Sequence, residues 1–345
     1  MDWPELIKLG FSFLLAFVLS LYLTPIVRRA AIRFGIVDRP DGELKVQQEP
    51  VAYLGGIPIF LALLLTSSLA YAFNQTALGI LLGTTIVIVL GIVDDLGALS
   101  PAVKLLGQAV AVWVLFKAGI SVQIIWLPEP FNWAVTVVWV LALTNAFNLI
   151  DVVDGLATGV AFIACAFLAA ISLLNGNYLI AAFTVALAGS LLGFLRYNFR
   201  PAGIYLGDTG SMAIGFILAA LTINEQYTVV NSRIGVLAPA IIMGIPIFET
   251  AFLSIVRIAK RISPLRGSPD HFALRLVRLG WSVERTVLTA YAAGTLLGFL
   301  GLVVVYTPGA VAANVIALAV LAAVAFGVFL IRQERRRARK EAPRG

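Results

Sequence analysis

The chain has 345 residues, 60% of them hydrophobic and only 12% charged, with a net charge of +7 and a mean hydropathy of +0.97. Soluble domains are about 45–50% apolar and about 25% charged, and a single core stops growing near roughly 250–300 residues. A soluble globule, a disordered chain, a coiled coil and a disulfide scaffold are therefore excluded, and an all-α, polytopic membrane bundle is left.

A membrane-crossing helix needs about 20 apolar residues, within about 17–25. Lipid offers the backbone no hydrogen-bonding partner, so such runs must be helical. Eleven runs emerge in chain order: 5–27, 52–73, 77–93, 101–118, 132–148, 157–174, 178–195, 211–223, 235–259, 285–306 and 310–331. The eighth is the shortest and extends toward Asn224-Glu225-Gln226. Asp2 and Glu5 give the first run an acidic start, and no small-x-small site ends it, so it reads as a span and not as a cleavable signal. No Pro/Gly/Ser linker interrupts the chain. Residues 1–331 read as one transmembrane domain and 332–345 as a basic cytoplasmic tail.

Placing the N-terminus outside leaves only Lys8, Lys117 and Arg233 of the 25 Lys and Arg residues on the outer side. The others collect in cytoplasmic loops and the tail, as the positive-inside rule requires. An odd number of spans puts the C-terminus in the cytoplasm, where the tail also meets anionic lipid. The basic excess thus marks topology and not a nucleic-acid partner. Cys165 is the one cysteine and His271 the one histidine, so zinc-type CxxC and His-rich metal sites are excluded.

The unusual polar residues fall in the cytoplasmic loops. The second loop holds Asp94 and Asp95, with Lys104 and Gln108 beyond. The third holds Asn145, Asn148, Asp151 and Asp154 at steps of three, followed by Gly155 and Leu156. The fourth reads Asn198-Phe199-Arg200-Pro201-Ala202, then Gly207-Asp208-Thr209-Gly210-Ser211, and the fifth carries Asp270 and His271. Each group sits where an odd-numbered span reaches the cytoplasm, so all can meet at one depth. An aspartate near the bilayer centre costs about 2.5–3.5 kcal/mol, and acids embedded in apolar runs mark functional sites. One such aspartate reads equally well as a solvated loop residue; five do not.

Adjacent Asp94 and Asp95 repel each other unless a cation or a proton intervenes. An all-oxygen donor set suits a hard ion, magnesium first and manganese second, and magnesium bridges carboxylates to substrate phosphates. Residues three apart are neighbours on a helix, but the nine steps from Asn145 to Asp154 end half a turn away. The helix is therefore expected to stop near Asp151, with Gly155 turning the chain. Gly207 and Gly210 flank Asp208 and are expected to leave backbone N–H groups free for an anion.

Three further groups carry two readings each. The first loop, Asp38 through Lys45 to Gly55-Gly56, is either a positive-inside anchor or a lysine reaching a phosphate. Glu249, after Pro246 in the ninth run, is either a functional intramembrane acid or a hydrogen-bond partner of a neighbouring helix. Asp270 and His271 either finish a loop or join the site. Trp3, Trp126, Trp133 and Trp139 read as interfacial anchors.

In this order and on one face, the blocks resemble those of the polyprenyl-phosphate N-acetylhexosamine-1-phosphate transferases. That family includes the enzymes that start O-antigen and teichoic acid synthesis and the MurNAc-pentapeptide translocase. The resemblance runs from about Asp38 to about Trp281. It implies a UDP-sugar donor, a polyprenyl (undecaprenyl) phosphate acceptor, magnesium, and a bacterial plasma-membrane enzyme whose site faces the cytoplasm. Eleven spans, a basic tail and no triple-His run are more similar to the N-acetylglucosamine branch than to the pentapeptide branch. Where that branch has His-x-His-His, this chain has His271, Ala273 and Leu274; its Lys-x-His is Lys45-Val46-Gln47, and Val152 stands where glycine is common.

The resemblance implies transfer of GlcNAc-1-phosphate to polyprenyl phosphate, with release of UMP. It assigns Asp208 to magnesium, with Asp151 or Asp154 as second ligand or orienter. Asp94 and Asp95 go near the acceptor phosphate, Asp94 as the base, which completes a catalytic set of Asp94, Asp95, Asp151 and Asp154. Lys45, Lys104, Arg266 and His271 go to the phosphates, and Asn148 and Asn198 to the ribose or uracil. A homodimer is compatible with it. The competing class is a secondary transporter, whose coupling acids would lie near mid-membrane in repeated halves. CDP-alcohol phosphotransferases share Asp151-x-x-Asp154-Gly155 but need Ala-Arg where Thr158-Gly159 stands, and are rejected.

Overall fold

The computed structural model describes residues 3–38, 50–97, 99–228, 233–263 and 268–341. Helix α1 (Trp3–Arg33) leads to two short antiparallel strands, β1 (Val37–Asp38) and β2 (Val51–Ala52), paired Val37 to Ala52 and Asp38 to Val51. Then come α2 (Gly56–Ala70), α3 (Gln75–Leu96), α4 (Pro101–Lys117), α5 (Glu129–Ile150), α6 (Leu156–Leu174), α7 (Tyr178–Asn198) and α8 (Gly207–Ile223). A 3₁₀ turn (Arg233–Leu237) runs into α9 (Ala238–Ile242) and α10 (Gly244–Ala259), followed by α11 (Phe272–Arg278), α12 (Val283–Tyr306) and α13 (Gly309–Glu341).

Every apolar run is helical, as lipid demands, but the runs do not all make full spans. Among the described residues seven helices are long and apolar enough to cross a membrane: α1, α3, α5, α6, α7, α12 and α13. The bent α9–α10 segment would make an eighth. Four of the eleven candidate runs differ from a long straight helix. The run 52–73 gives up its start to β2 and Gly55, leaving 15 residues in α2. Helices α4 and α8 have 17 each. The ninth run bends by 78° at Met243, where Pro239 and Pro246, which lack an N–H to donate, stand either side of Gly244. The two-residue strands are a small departure from an all-α fold.

The chain packs as two compact units, Met1–Gln226 and Tyr227–Gly345. That division falls inside the stretch that composition presents as one domain. Helix α13 continues unbroken into the basic tail as far as Glu341.

In the first unit α1 lies along α7. A Cβ at Gly189 or Gly193 would come 2.3 or 2.5 Å from the carbonyl oxygens of Phe13 and Phe17, so these glycines permit the close crossing typical of small-x-x-x-small membrane pairs. Helix α8 is the centre: its residues from Thr209 to Thr222 are all buried, and α3, α5 and α2 pack around it. Trp139, expected at an interface, instead donates from Nε1 to Thr222 Oγ1 at 2.9 Å and ties α5 to α8. Helix α5 ends at Ile150, Asp151 leaves the helical region with ψ 54°, and Gly155 takes φ +78°, as the steps of three foretell.

Candidate active site

The first turn of α8 holds Asp208, and three other helix ends of the first unit meet it there. Lys104, from the first turn of α4, places Nζ 2.7 Å from Asp208 Oδ2 and makes a second ion pair with Asp94, near the end of α3. Asn148, in the last turn of α5, donates from Nδ2 to Asp208 Oδ1 at 2.6 Å and to Ser211 Oγ at 3.0 Å. The carboxyls of Asp94 and Asp208 are themselves within hydrogen-bonding reach of each other. The cation that lets neighbouring acids coexist is thus Lys104. Leu99 N–H adds a 2.6 Å bond to Asp94 Oδ1.

Asp95 points elsewhere. Its Oδ1 accepts from the backbone N–H of Asp208 at 2.9 Å, and its Oδ2 accepts from Thr209 N–H at 3.2 Å and Thr209 Oγ1 at 2.6 Å. The expectation of free N–H groups at the start of α8 is therefore corrected: a carboxylate of this chain already takes them. Gly91, one turn earlier on α3, allows the approach, since a Cβ there would lie 2.4 Å from Thr209 Cα.

Asp151 lies just beyond α5. Burial, and then the charges of Asp208, Asp95 and Asp154, push its carboxyl up to about 8, opposed by a hydrogen bond from Gly207 N–H. Asp154 Oδ2 accepts from Ala202 N–H at 3.1 Å and so braces the loop into α8. Asn198 is 2% exposed. Its Oδ1 accepts from Thr158 Oγ1 at 2.8 Å and its Nδ2 donates to Ile204 O at 3.1 Å. Expected at the ribose or base, Asn198 serves the fold instead, because both ends of its amide are occupied inside it.

Among the described residues no three His, Cys, Asp or Glu side chains form a group able to hold a metal ion. Magnesium asks for less: one or two carboxylates, with waters and substrate phosphates completing its shell.

The family profile described as Glycosyl transferase family 4 matches residues 77–225, which span α3 to α8. Over 305 residues the chain is 34% identical to the Bacillus subtilis (strain 168) protein named "Probable undecaprenyl-phosphate N-acetylglucosaminyl 1-phosphate transferase", covering 86% of this chain and 84% of that one. The chain belongs to glycosyl transferase family 4. It is also 32% identical over 323 residues to the phospho-N-acetylmuramoyl-pentapeptide-transferase of Geobacillus kaustophilus, covering 86% and 96% of the two chains. With the decaprenyl-phosphate N-acetylglucosaminephosphotransferase of Mycolicibacterium smegmatis the identity is 29% over 315 residues, covering 81% and 77%.

The remaining residues of interest in this family 4 chain divide between its two units. Lys45 and Arg266 lie outside the described residues. His271 belongs to the second unit, where its Nδ1 lies 2.7 Å from Oε1 of Glu249, a fully buried acid whose Oε2 accepts from Phe272 N–H at 3.2 Å. Glu249 thus hydrogen-bonds the residues that open α11. Asp270 accepts from Lys260 Nζ at 2.6 Å and Arg275 Nη2 at 2.9 Å. Burial would raise its carboxyl, but the Lys260 bond and the charges of Lys260 and Arg275 hold it below its usual range.

Motif reading passes over Gln108 and a tyrosine pair. Gln108 is 1% exposed, and its Oε1 accepts from Asn145 Nδ2 at 2.8 Å, linking α4 to α5 behind the acids. Tyr53 and Tyr205 have ring centroids 6.0 Å apart. The Tyr53 hydroxyl meets Asp38, and Tyr205 N–H donates to Ala52 O at 2.8 Å. The aromatic three residues before Asp208 was the visible signal.

Proposed function

We propose that the protein transfers N-acetylglucosamine-1-phosphate from a UDP-sugar to polyprenyl phosphate and releases UMP. The observation that carries this reading is the gathering of Asp94, Lys104, Asn148 and Asp151 around Asp208 at the head of α8, in a chain whose relatives are named for that transfer. These acids lie at helix ends, whereas the coupling acids of a carrier lie on broken helices near mid-membrane.

An oxygen of the acceptor phosphate attacks the β-phosphorus of the donor. The new P–O bond forms there as the bond to the bridging oxygen breaks, and that oxygen leaves with UMP. Such transfers need positioning and charge neutralisation more than covalent help. Asp94 keeps the acceptor phosphate ionised, and Lys104, already between two acids, turns its ammonium to the incoming phosphates. Asn148 holds Asp208 in orientation. The donor chemistry fits a hard divalent ion, since Asp151 is a buried carboxyl pressed upon by three other carboxylates. Asp208 and Asp151 would hold magnesium, which when bound neutralises the diphosphate.

The topology proposed with this function has the N-terminus outside and the C-terminus inside, with the acid cluster facing the cytoplasm of a bacterial inner membrane. Short helices α2, α4 and α8 and the bent α9–α10 complete eleven passes. Purified protein incubated with labelled UDP-GlcNAc, undecaprenyl phosphate and magnesium should yield a lipid-linked sugar and UMP. Asp208→Asn should abolish both, and near-normal turnover by that variant would refute the assignment.

A further inference from the structure

The adjacent acids Asp94 and Asp95 do different work. Lone pairs of Asp95 are taken by three donors, all from the first turn of α8: Asp208 N–H at 2.9 Å, Thr209 N–H at 3.2 Å and Thr209 Oγ1 at 2.6 Å. A carboxylate at a helix N-terminus satisfies otherwise orphaned N–H groups and lies in the favourable end of the helix dipole. One bond lands on the backbone of Asp208 itself, so it fixes where that side chain starts. Gly207 has φ +70°, and a Cβ there would lie 2.7 Å from Asp95 Oδ2, so the turn into α8 closes directly on this carboxylate. Asp94, by contrast, meets Lys104 and the side chain of Asp208.

We infer that Asp95 is a positioning residue, which sets the orientation of Asp208 through the first turn of α8 and touches neither substrate nor metal, with Thr209 as its partner in that task. This rests on the proposed transferase reading.

Four variants test it: Asp95→Asn, Thr209→Val, Thr209→Ser and the Asp95→Asn/Thr209→Val double. Removing a helix cap of this kind changes an equilibrium by about tenfold. Thr209→Val and Asp95→Asn should each lower kcat per folded molecule by about tenfold or more, with KM for both substrates unchanged. Thr209→Ser, which keeps the hydroxyl, should recover most of the Thr209→Val loss. Because the two residues share one contact, the double variant should be little worse than Asp95→Asn alone. Amide exchange at Asp208 and Thr209 should quicken in Asp95→Asn, and this readout needs no turnover.

The inference is overturned if Thr209→Val turns over normally while Asp95→Asn is dead, if the two losses multiply, or if exchange at those amides is unchanged. A role in folding alone would lower the yield of folded protein and leave its kcat intact, which also overturns it. If the unaltered protein makes no lipid-linked sugar, the transferase reading falls, and the exchange measurement still decides whether Asp95 caps α8.

Discussion

Lys104→Met is the perturbation whose size follows most directly from the geometry. The lysine side chain is 24% exposed and joins Asp94, 5% exposed, to Asp208, 28% exposed. Methionine keeps the length and apolar stem but removes the ammonium, leaving two carboxyls side by side without their shared cation. A hydrogen bond to a charged group contributes about 1.5–3 kcal/mol, and Lys104 makes two. Partial exposure and the remaining Asn148 bond to Asp208 reduce the total, so about 3 kcal/mol is the expected loss of alignment. At about 1.4 kcal/mol per factor of ten, turnover should fall by roughly 100-fold. The assay is UMP release with saturating UDP-GlcNAc, undecaprenyl phosphate and magnesium. Lys104→Arg should recover part of the loss, because the charge returns but a planar fork replaces a point donor. Turnover of Lys104→Met within about threefold of the unaltered protein would refute the reasoning that one cation organises both acids.

Two further outcomes follow from groups already described. Asp151 holds its proton up to about 8 in the fold, while an unfolded chain releases it near about pH 4. Between those values the folded protein binds the extra proton, so thermal stability measured without divalent ions should fall as pH rises to about 8 and level off above it. Asp151→Asn should flatten that slope; equal slopes would exclude the effect. In the second unit Arg275, 3% exposed, joins Asp270 to Glu334 of α13. Removing one partner of a buried ion pair costs about 3–5 kcal/mol, and a shift of about 2–4 °C per kcal/mol puts the melting midpoint of Arg275→Met about 10 °C lower. An unchanged midpoint would remove this network from the stability of the unit.

The helices were legible because a run of apolar residues in lipid has only one way to satisfy its backbone. Their ends were legible where local chemistry sets them, as at Asp151 and Gly155. Which acids meet was readable from their common depth, since Asp94, Lys104, Asn148 and Asp208 all stand at ends of neighbouring helices. What each does there was not readable. Asp94 and Asp95 are alike in sequence, yet the helical step of about 100° between neighbours turns one to Lys104 and the other to the backbone of α8. Asn198 looked like a ligand group because it is polar in an apolar run, but its partners, Thr158 and Ile204 O, carry no motif. The bend at Met243 had its signal in Pro239 and Pro246, and a window that averages hydropathy across both conceals it.

The span of sequence between partners also bears on biosynthesis. Asp95 and its donor turn on α8 are 113 residues apart, and Lys104 and Asp208 are 104 apart. During translation Asp94 can meet Leu99 N–H and Lys104 as soon as α4 emerges, whereas Asp95 lacks its donors while four helices, α4 to α7, are made. The Asp94–Lys104 pair can therefore form early, and the cluster is completed only when residue 208 has been made. An arrested nascent chain ending before α8 should consequently keep the Asp94–Lys104 pair and leave Asp95 without its α8 donors.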